Sequence, residues 1–142
     1  MTIAAILDRK GREVVSVDSA VPVREAVRLL AEHRIGAVVV REGEGVAGIL
    51  SERDLVYCIA KEGAGALDLP VSRMMTAPVI TVEPSVSVLA ALSDMSKRRI
   101  RHLPVVEGGK LAGLVSIGDL VAWRIAMIEE EAQAMRAYIQ GA

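Results

Sequence analysis

Two short patterns in this chain place reactive groups at a spacing that could do chemistry. Ser51-Glu52-Arg53-Asp54 and Ser116-Ile117-Gly118-Asp119 each set a hydroxyl three residues before a carboxylate. Each follows a glycine and two apolar residues, Gly48-Ile49-Leu50 and Gly113-Leu114-Val115. On a helix that begins at the serine, this spacing permits two uses. Ser at the N-cap and Asp at the third helical position satisfy orphan backbone amides and suit the helix dipole, a capping box worth about 1 kcal/mol. The same helix N-terminus also presents free N–H groups to a phosphate. The serine adds a hydroxyl donor, and the aspartate one turn in can accept both hydroxyls of a ribose. The residues by themselves favour the cap, with the ligand site as the alternative.

Catalytic chemistry finds little support. The two acids recur at the same place in both patterns, which suits binding rather than an unlike acid and base pair. There is no Ser/His/Asp order and no P-loop. Cys58 is the only cysteine, so no internal disulfide and no multi-cysteine zinc site can form, and two histidines, His33 and His102, leave little for other metals. Cys58 reads as a small core residue, Trp123 as packing and His33 as a helix-end residue. The expectation is a chain with no catalytic residue, no metal and no catalytic cofactor, and therefore not an enzyme.

The elements that carry the two patterns are themselves repeated. Sliding the chain by 65 residues puts Val14 on Val79, Val21 on Val86, Ala26 on Ala91, Arg34-Ile35 on Arg99-Ile100, Glu42-Gly43 on Glu107-Gly108, and Asp54-Leu55-Val56 on Asp119-Leu120-Val121, without a gap. Fixed-period self-similarity marks a structural repeat. Each copy opens with a β-branched run (Val14–Val17; Val79–Val82). An amphipathic helix follows (Val23–Arg34; Val88–Arg99), with Val23, Ala26, Val27 and Leu30 on one face of the first. A strand (Ala37–Arg41; Leu103–Val106), a Gly-rich turn and a second strand (Val46–Leu50; Leu111–Val115) read as a hairpin. The closing helix starts at Ser51 or Ser116. A unit this small buries too little surface to stand comfortably alone. The predicted fold is α/β in the mixed α+β sense: two β-α-β-β-α repeats packed with pseudo-twofold symmetry. The predicted boundaries are 1–62 for the first unit with a short N-terminal helix bearing Ile3, Ile6 and Leu7, 63–76 for a linker with one helical turn, and 77–142 for the second unit.

The final helix is the longer of the pair. Val121, Ile125, Ile128, Ala132, Met135 and Ile139 make an alternating stripe that packs either on its own unit or on a second copy. The 142 residues carry 17 basic and 18 acidic side chains for a net charge of −1. That gives no global drive toward nucleic acid or an acidic membrane. Lys97-Arg98-Arg99 with Arg101 reads as the solvated C-terminal end of a helix. Without an aromatic platform nearby, nucleic-acid binding is disfavoured. Glu129-Glu130-Glu131 reads as a solvated face. Met1–Leu7 is too short for a signal peptide, and no run approaches the roughly 18 apolar residues of a membrane span. A single thiol fits a reducing cytoplasm, the expected location.

The tandem units, each closed by Gly-x-x-Ser-x-x-Asp, resemble a pair of CBS domains, the Bateman module. Ile100-Arg101-His102-Leu103-Pro104-Val105-Val106 also matches the approach to that family's second strand. The resemblance runs from about Val14 to Arg124. It implies binding of an adenosine-containing ligand (AMP, ADP, ATP, NAD(H) or S-adenosylmethionine) in two clefts between the units, with the serine toward phosphate and the aspartate on ribose. Carried over residue by residue, it implies a first cleft of Ser51, Arg53 and Asp54 with Ile80, Arg101 and His102. It implies a second cleft of Ser116 and Asp119 with Val15, Gly36 and Ala37. The cations then fall in the first cleft, which should hold phosphorylated ligands better. The resemblance further implies a regulatory sensor that dimerises and signals to a regulated protein not named by the sequence. The alternative is a structural or partner-binding module whose clefts are unused.

Overall fold

The apolar runs and helix caps read above become elements in the computed structural model, which describes residues 1–141; Ala142, the last residue of the predicted second unit, lies outside them. Helix α1 spans Ile3–Lys10. The first unit follows as β1 (Ser16–Asp18), α2 (Val23–His33), β2 (Ala37–Glu42), β3 (Gly45–Ser51) and α3 (Glu52–Glu62). The second comprises α4 (Val88–Arg98), β4 (His102–Glu107), β5 (Lys110–Ser116) and α5 (Ile117–Gly141). β1 pairs parallel with β2, β2 antiparallel with β3, and β4 antiparallel with β5.

The repeat extends to fine detail. A register shift between Val40 and Arg41 recurs between Val105 and Val106. Both α2 and α4 stop on an arginine in the left-handed region, Arg34 at φ 53° and Arg99 at φ 55°. A non-glycine residue there costs about 1 kcal/mol. The turn it makes lets the arginine N–H bond back to Leu30 or Met95 and sends the chain into the hairpin. Gly108 and Gly109, both at positive φ, form the two-residue loop that hairpins favour between β4 and β5. The hairpin tips meet, with the Leu111 N–H donating to the Glu44 carbonyl at 3.2 Å.

Three expectations need correction. The strand predicted at Val79–Val82 reduces to one bridge, Val82 with Val105. In the first unit the Val39 N–H donates to the Val15 carbonyl at 3.3 Å. The residue equivalent to Val39 is Pro104, which has no N–H to give Ile80. The first strand likewise begins at Ser16 rather than Val14. Lastly, the division at the linker is crossed by the packing. Ile3, Ile6 and Leu7 of α1 are buried in the second unit's core, with Val88, Met95, Leu103, Val105, Val115 and Leu120. Val71, from the predicted linker, is buried in the first unit's core with Val23, Leu30, Val38, Val40 and Leu50. That stretch forms 3-10 turns at Gly63–Asp68 and Val71–Arg73.

The two crossing arms match bond for bond. Ile3 N–H donates to Val86 O at 2.9 Å, and Val71 N–H to Val21 O at 2.8 Å. Val88 N–H donates to Met1 O at 3.1 Å, and Val23 N–H to Leu69 O at 2.8 Å. Each unit is too small to cover its own sheet, and each is completed by the arm that precedes the other. On α5, Val121, Ile125, Ile128, Met135 and Ile139 are exposed. Most of that stripe therefore does not pack on its own unit, and Ala132 is part-buried. Cys58 is buried, as read; Trp123 packs against the second core and donates its indole N–H to Met1 sulfur.

Candidate functional site

Ser51 and Ser116 both cap their helices. The Asp54 amide donates to Ser51 Oγ and the Ser51 amide to Asp54 Oδ2 at 2.9 Å. The same pair in the second unit measures 3.2 Å and 2.8 Å. The capping box is thus real in both copies, and it uses only one oxygen of each carboxylate. What becomes of the rest of the carboxylate depends on the crossing arm.

At Asp54 the arm brings Thr76. Its backbone bridges Ile49 in both directions, at 2.8 and 3.2 Å, and its hydroxyl donates to Asp54 Oδ1 at 3.1 Å. Among the described residues no cation is ion-paired to Asp54. At Asp119 the arm brings Lys10. Its ammonium donates to Asp119 Oδ2 at 2.6 Å and to the Leu114 carbonyl at 2.8 Å. Partial burial works to raise the Asp119 pKa, but the Lys10 ion pair and the Ser116 hydrogen bonds outweigh it and hold the carboxyl below its ordinary range. A depression of about 390 Å³ lies beside this pair, between α1 and α5.

The glycines of the two motifs gain a reason. A Cβ at Gly48 would meet Met75 sulfur and the Thr76 carbonyl, each at 2.7 Å. A Cβ at Gly113 would meet the Leu7 methyls at 2.7 and 2.8 Å. Only glycine lets the crossing arm lie this close to the strand that leads to the serine.

The hairpin register fixes the backbone neighbours of the residues assigned to the two clefts. His102 is the cross-strand partner of Ser116, and the Arg101 carbonyl accepts the Ile117 N–H at 2.8 Å. Ala37 is the partner of Ser51, and the Gly36 carbonyl accepts the Glu52 N–H at 3.0 Å. The backbone of each second-strand approach therefore lies beside its own unit's motif. The antiparallel hairpin register imposes this: the start of one strand faces the end of the next. The units still meet here, because the ring of His102 lies 3.6 Å from where a Gly36 Cβ would sit. Burial pushes the His102 pKa down. Lys10 and Arg101 push the same way, against Asp119 and Glu52. His102 thus stands at the seam between the motifs. Val15 packs on the first core, while Ile80, Arg53 and Arg101 are exposed. Sequence reading missed Thr76 and Lys10, which lie outside the 65-residue register and carry no motif.

With this geometry in place, comparison identifies the class. The family model described as CBS domain matches the chain twice, at residues 7–61 and 71–126. The chain belongs to the CBS-domain family, as a tandem pair with an α+β fold. It is 44% identical to the CBS-domain containing protein of Agrobacterium tumefaciens, whose crystal structure superposes with a TM-score of 0.81 over 87% of this chain and 92% of that one. A CBS domain protein of Pyrobaculum aerophilum, solved complexed with AMP, is 30% identical, with a TM-score of 0.78 over 91% and 97% of the two chains. The mitochondrial CBS domain-containing protein CBSX3 of Arabidopsis thaliana is 41% identical over 124 residues. Those residues are 84% of this chain and 60% of that protein, so the match spans less than two thirds of this relative's length. Among the described residues no helix is long and apolar enough to cross a membrane.

Proposed function

We propose that this CBS pair is a regulatory module that binds an adenosine-containing ligand through Ser51 and Asp54, with no reaction of its own. The observation that carries the reading is the Asp54 carboxylate. It is fixed by a capping box, partly exposed, bonded on its second oxygen only by a neutral hydroxyl, and set where a segment joining the units passes. A ribose diol can replace or share the Thr76 bond without displacing a charge. The AMP complex of the Pyrobaculum relative supports the same ligand class. Arg53 and Arg101 supply cations and His102 an imidazole donor near the two helix N-termini for the phosphate, and Ile80 an apolar side chain for the base. The second motif, Ser116 and Asp119 with Val15, Gly36 and Ala37 in the inherited assignment, is the weaker of the two because Asp119 is already ion-paired. AMP, ATP, NAD(H) and S-adenosylmethionine all remain within the class.

The module acts as a homodimer in the cytoplasm, in contact with a regulated protein. Exposed Val56 and Ile59 on α3 and the stripe on α5 offer an apolar face of the kind that marks protein association. Removing residues after Trp123 should weaken association, and a monomer at micromolar concentration in light scattering would refute the dimer. The ligand reading is tested by thermal shift. A ligand at 100 times its dissociation constant adds about 2.7 kcal/mol, several degrees for a chain of this size. AMP, ATP or NADH should produce that shift and guanine nucleotides should not. An unchanged melting temperature with all the adenine ligands at millimolar concentration would overturn it.

A further inference from the structure

We infer that Lys10 attenuates the second cleft: its ammonium pairs with Asp119 in the free protein and competes with a ribose for the charge of that carboxylate. The inference rests on the ligand reading above and adds a regulatory residue to it. The motif itself is the same in both units, so the difference has to come from outside the repeat. Lys10 is the last residue of α1, and α1 is anchored in the second core through Ile3, Ile6 and Leu7. Its position is therefore fixed by buried packing rather than by the ion pair alone.

The contact is more than a chance surface pair. Lys10 makes two bonds, one to the carboxylate and one to the Leu114 carbonyl in the motif strand. Both side chains are partly shielded, at 37% and 26% exposure. Asp119 Oδ2 takes both the Ser116 amide and the lysine, so the ammonium neutralises the carboxylate and weakens it as an acceptor for a ribose. A released Lys10 has room, since it also lines the depression beside α5 with Arg9 and Trp123. The first cleft has no counterpart: Thr76 bonds the equivalent carboxylate with a hydroxyl that can itself rotate to accept from a ligand. Occupancy should therefore be ordered, first cleft before second, with the Lys10 charge competing against the second.

Calorimetric titration of AMP into the wild type, Lys10→Met and Lys10→Arg tests this. Methionine keeps the apolar stem and removes the charge; arginine keeps the ion pair. The wild type should show one stronger site per chain. Lys10→Met should tighten the weaker site by roughly five- to tenfold, the scale on which a partly exposed ion pair competes, and leave the stronger site alone. Lys10→Arg should follow the wild type. Superimposable isotherms for wild type and Lys10→Met overturn the attenuation while leaving the ligand reading intact. Weaker second-site binding in Lys10→Met also overturns it, by making Lys10 a ligand contact. No AMP binding by any of the three overturns the attenuation and the AMP reading together.

Discussion

Asp54 and Asp119 occupy the same position in the same helical turn of two copies of one unit, yet they are not in the same chemical state. Each is pinned by its serine cap. Beyond the cap, Asp54 meets a threonine hydroxyl at 3.1 Å and Asp119 a lysine ammonium at 2.6 Å. The partners ride on the crossing arms, which complete the opposite units with matching backbone bonds but different sequences. One arm is a helix of 8 residues and the other a 3-10 turn of 3. The repeat therefore fixes where an acceptor stands, and the unrepeated arms decide how available it is. A tandem duplication can in this way keep its fold while its two sites diverge.

The comparison breaks most visibly if an arm is only an appendage. Leu7 is fully buried in the second core, and truncating such a side chain costs about 2–5 kcal/mol. Leu7→Ala should therefore lower stability by about 3 kcal/mol in urea denaturation. Met75, its half-buried counterpart on the other arm, should lose roughly half as much on truncation to alanine. A loss below about 1 kcal/mol for Leu7→Ala would mean that α1 does not share the core.

A finer test compares the two motif glycines. Gly48→Ala drives a methyl into the Thr76 carbonyl, which is backbone and cannot turn away, whereas Gly113→Ala meets only the methyls of Leu7. Overpacking costs about 1–3 kcal/mol. The Gly48 variant should fall at the upper end and the Gly113 variant at the lower, read as a difference in denaturation midpoint. Equal losses would mean that the arms do not lie against the strands as described.

The smallest effect is in pH. His102 at the seam has its folded pKa lowered by burial first and then by Lys10 and Arg101. As pH falls below about 6.5, the ordinary histidine value, the unfolded chain takes up the proton before the folded one does. Stability should then decline toward the lower folded value, and be flat in this respect above the ordinary one. The slope should be roughly a few tenths of a kcal/mol per pH unit. His102→Gln should remove it. A wild type whose stability is flat between about pH 7 and 5 would place His102 outside the seam.

Much of this was legible in the residues. The 65-residue register, the hairpins, the serine caps, the buried triplet of α1 and the burial of Cys58 all follow from local periodicity and cap chemistry. The lost strand at Val79–Val82 was legible in principle, because Pro104 stands where its pairing needs an N–H. The hairpin register likewise forces Ala37 opposite Ser51 and His102 opposite Ser116. What no local pattern could supply was the crossing of the arms. Ile3, Ile6 and Leu7 announce a buried face without saying which core receives it. Lys10 and Thr76 meet the two carboxylates only because the chain crosses between units, a contact over 109 residues in one case and 22 in the other.

The most direct test of the inequality between the two carboxylates is calorimetry of AMP binding to Asp54→Ala and Asp119→Ala side by side. Both variants remove the same N-terminal carboxylate from equivalent helices and should lose a similar amount of cap stability, about 1 kcal/mol or less, with Asp119→Ala also losing the Lys10 ion pair, so the melting temperature of each is measured beside its isotherm. Asp54→Ala should weaken the stronger site by at least about tenfold, equivalent to about 1.4 kcal/mol, and Asp119→Ala should leave that site within about twofold. Equal losses, or a larger loss from Asp119→Ala, would contradict it.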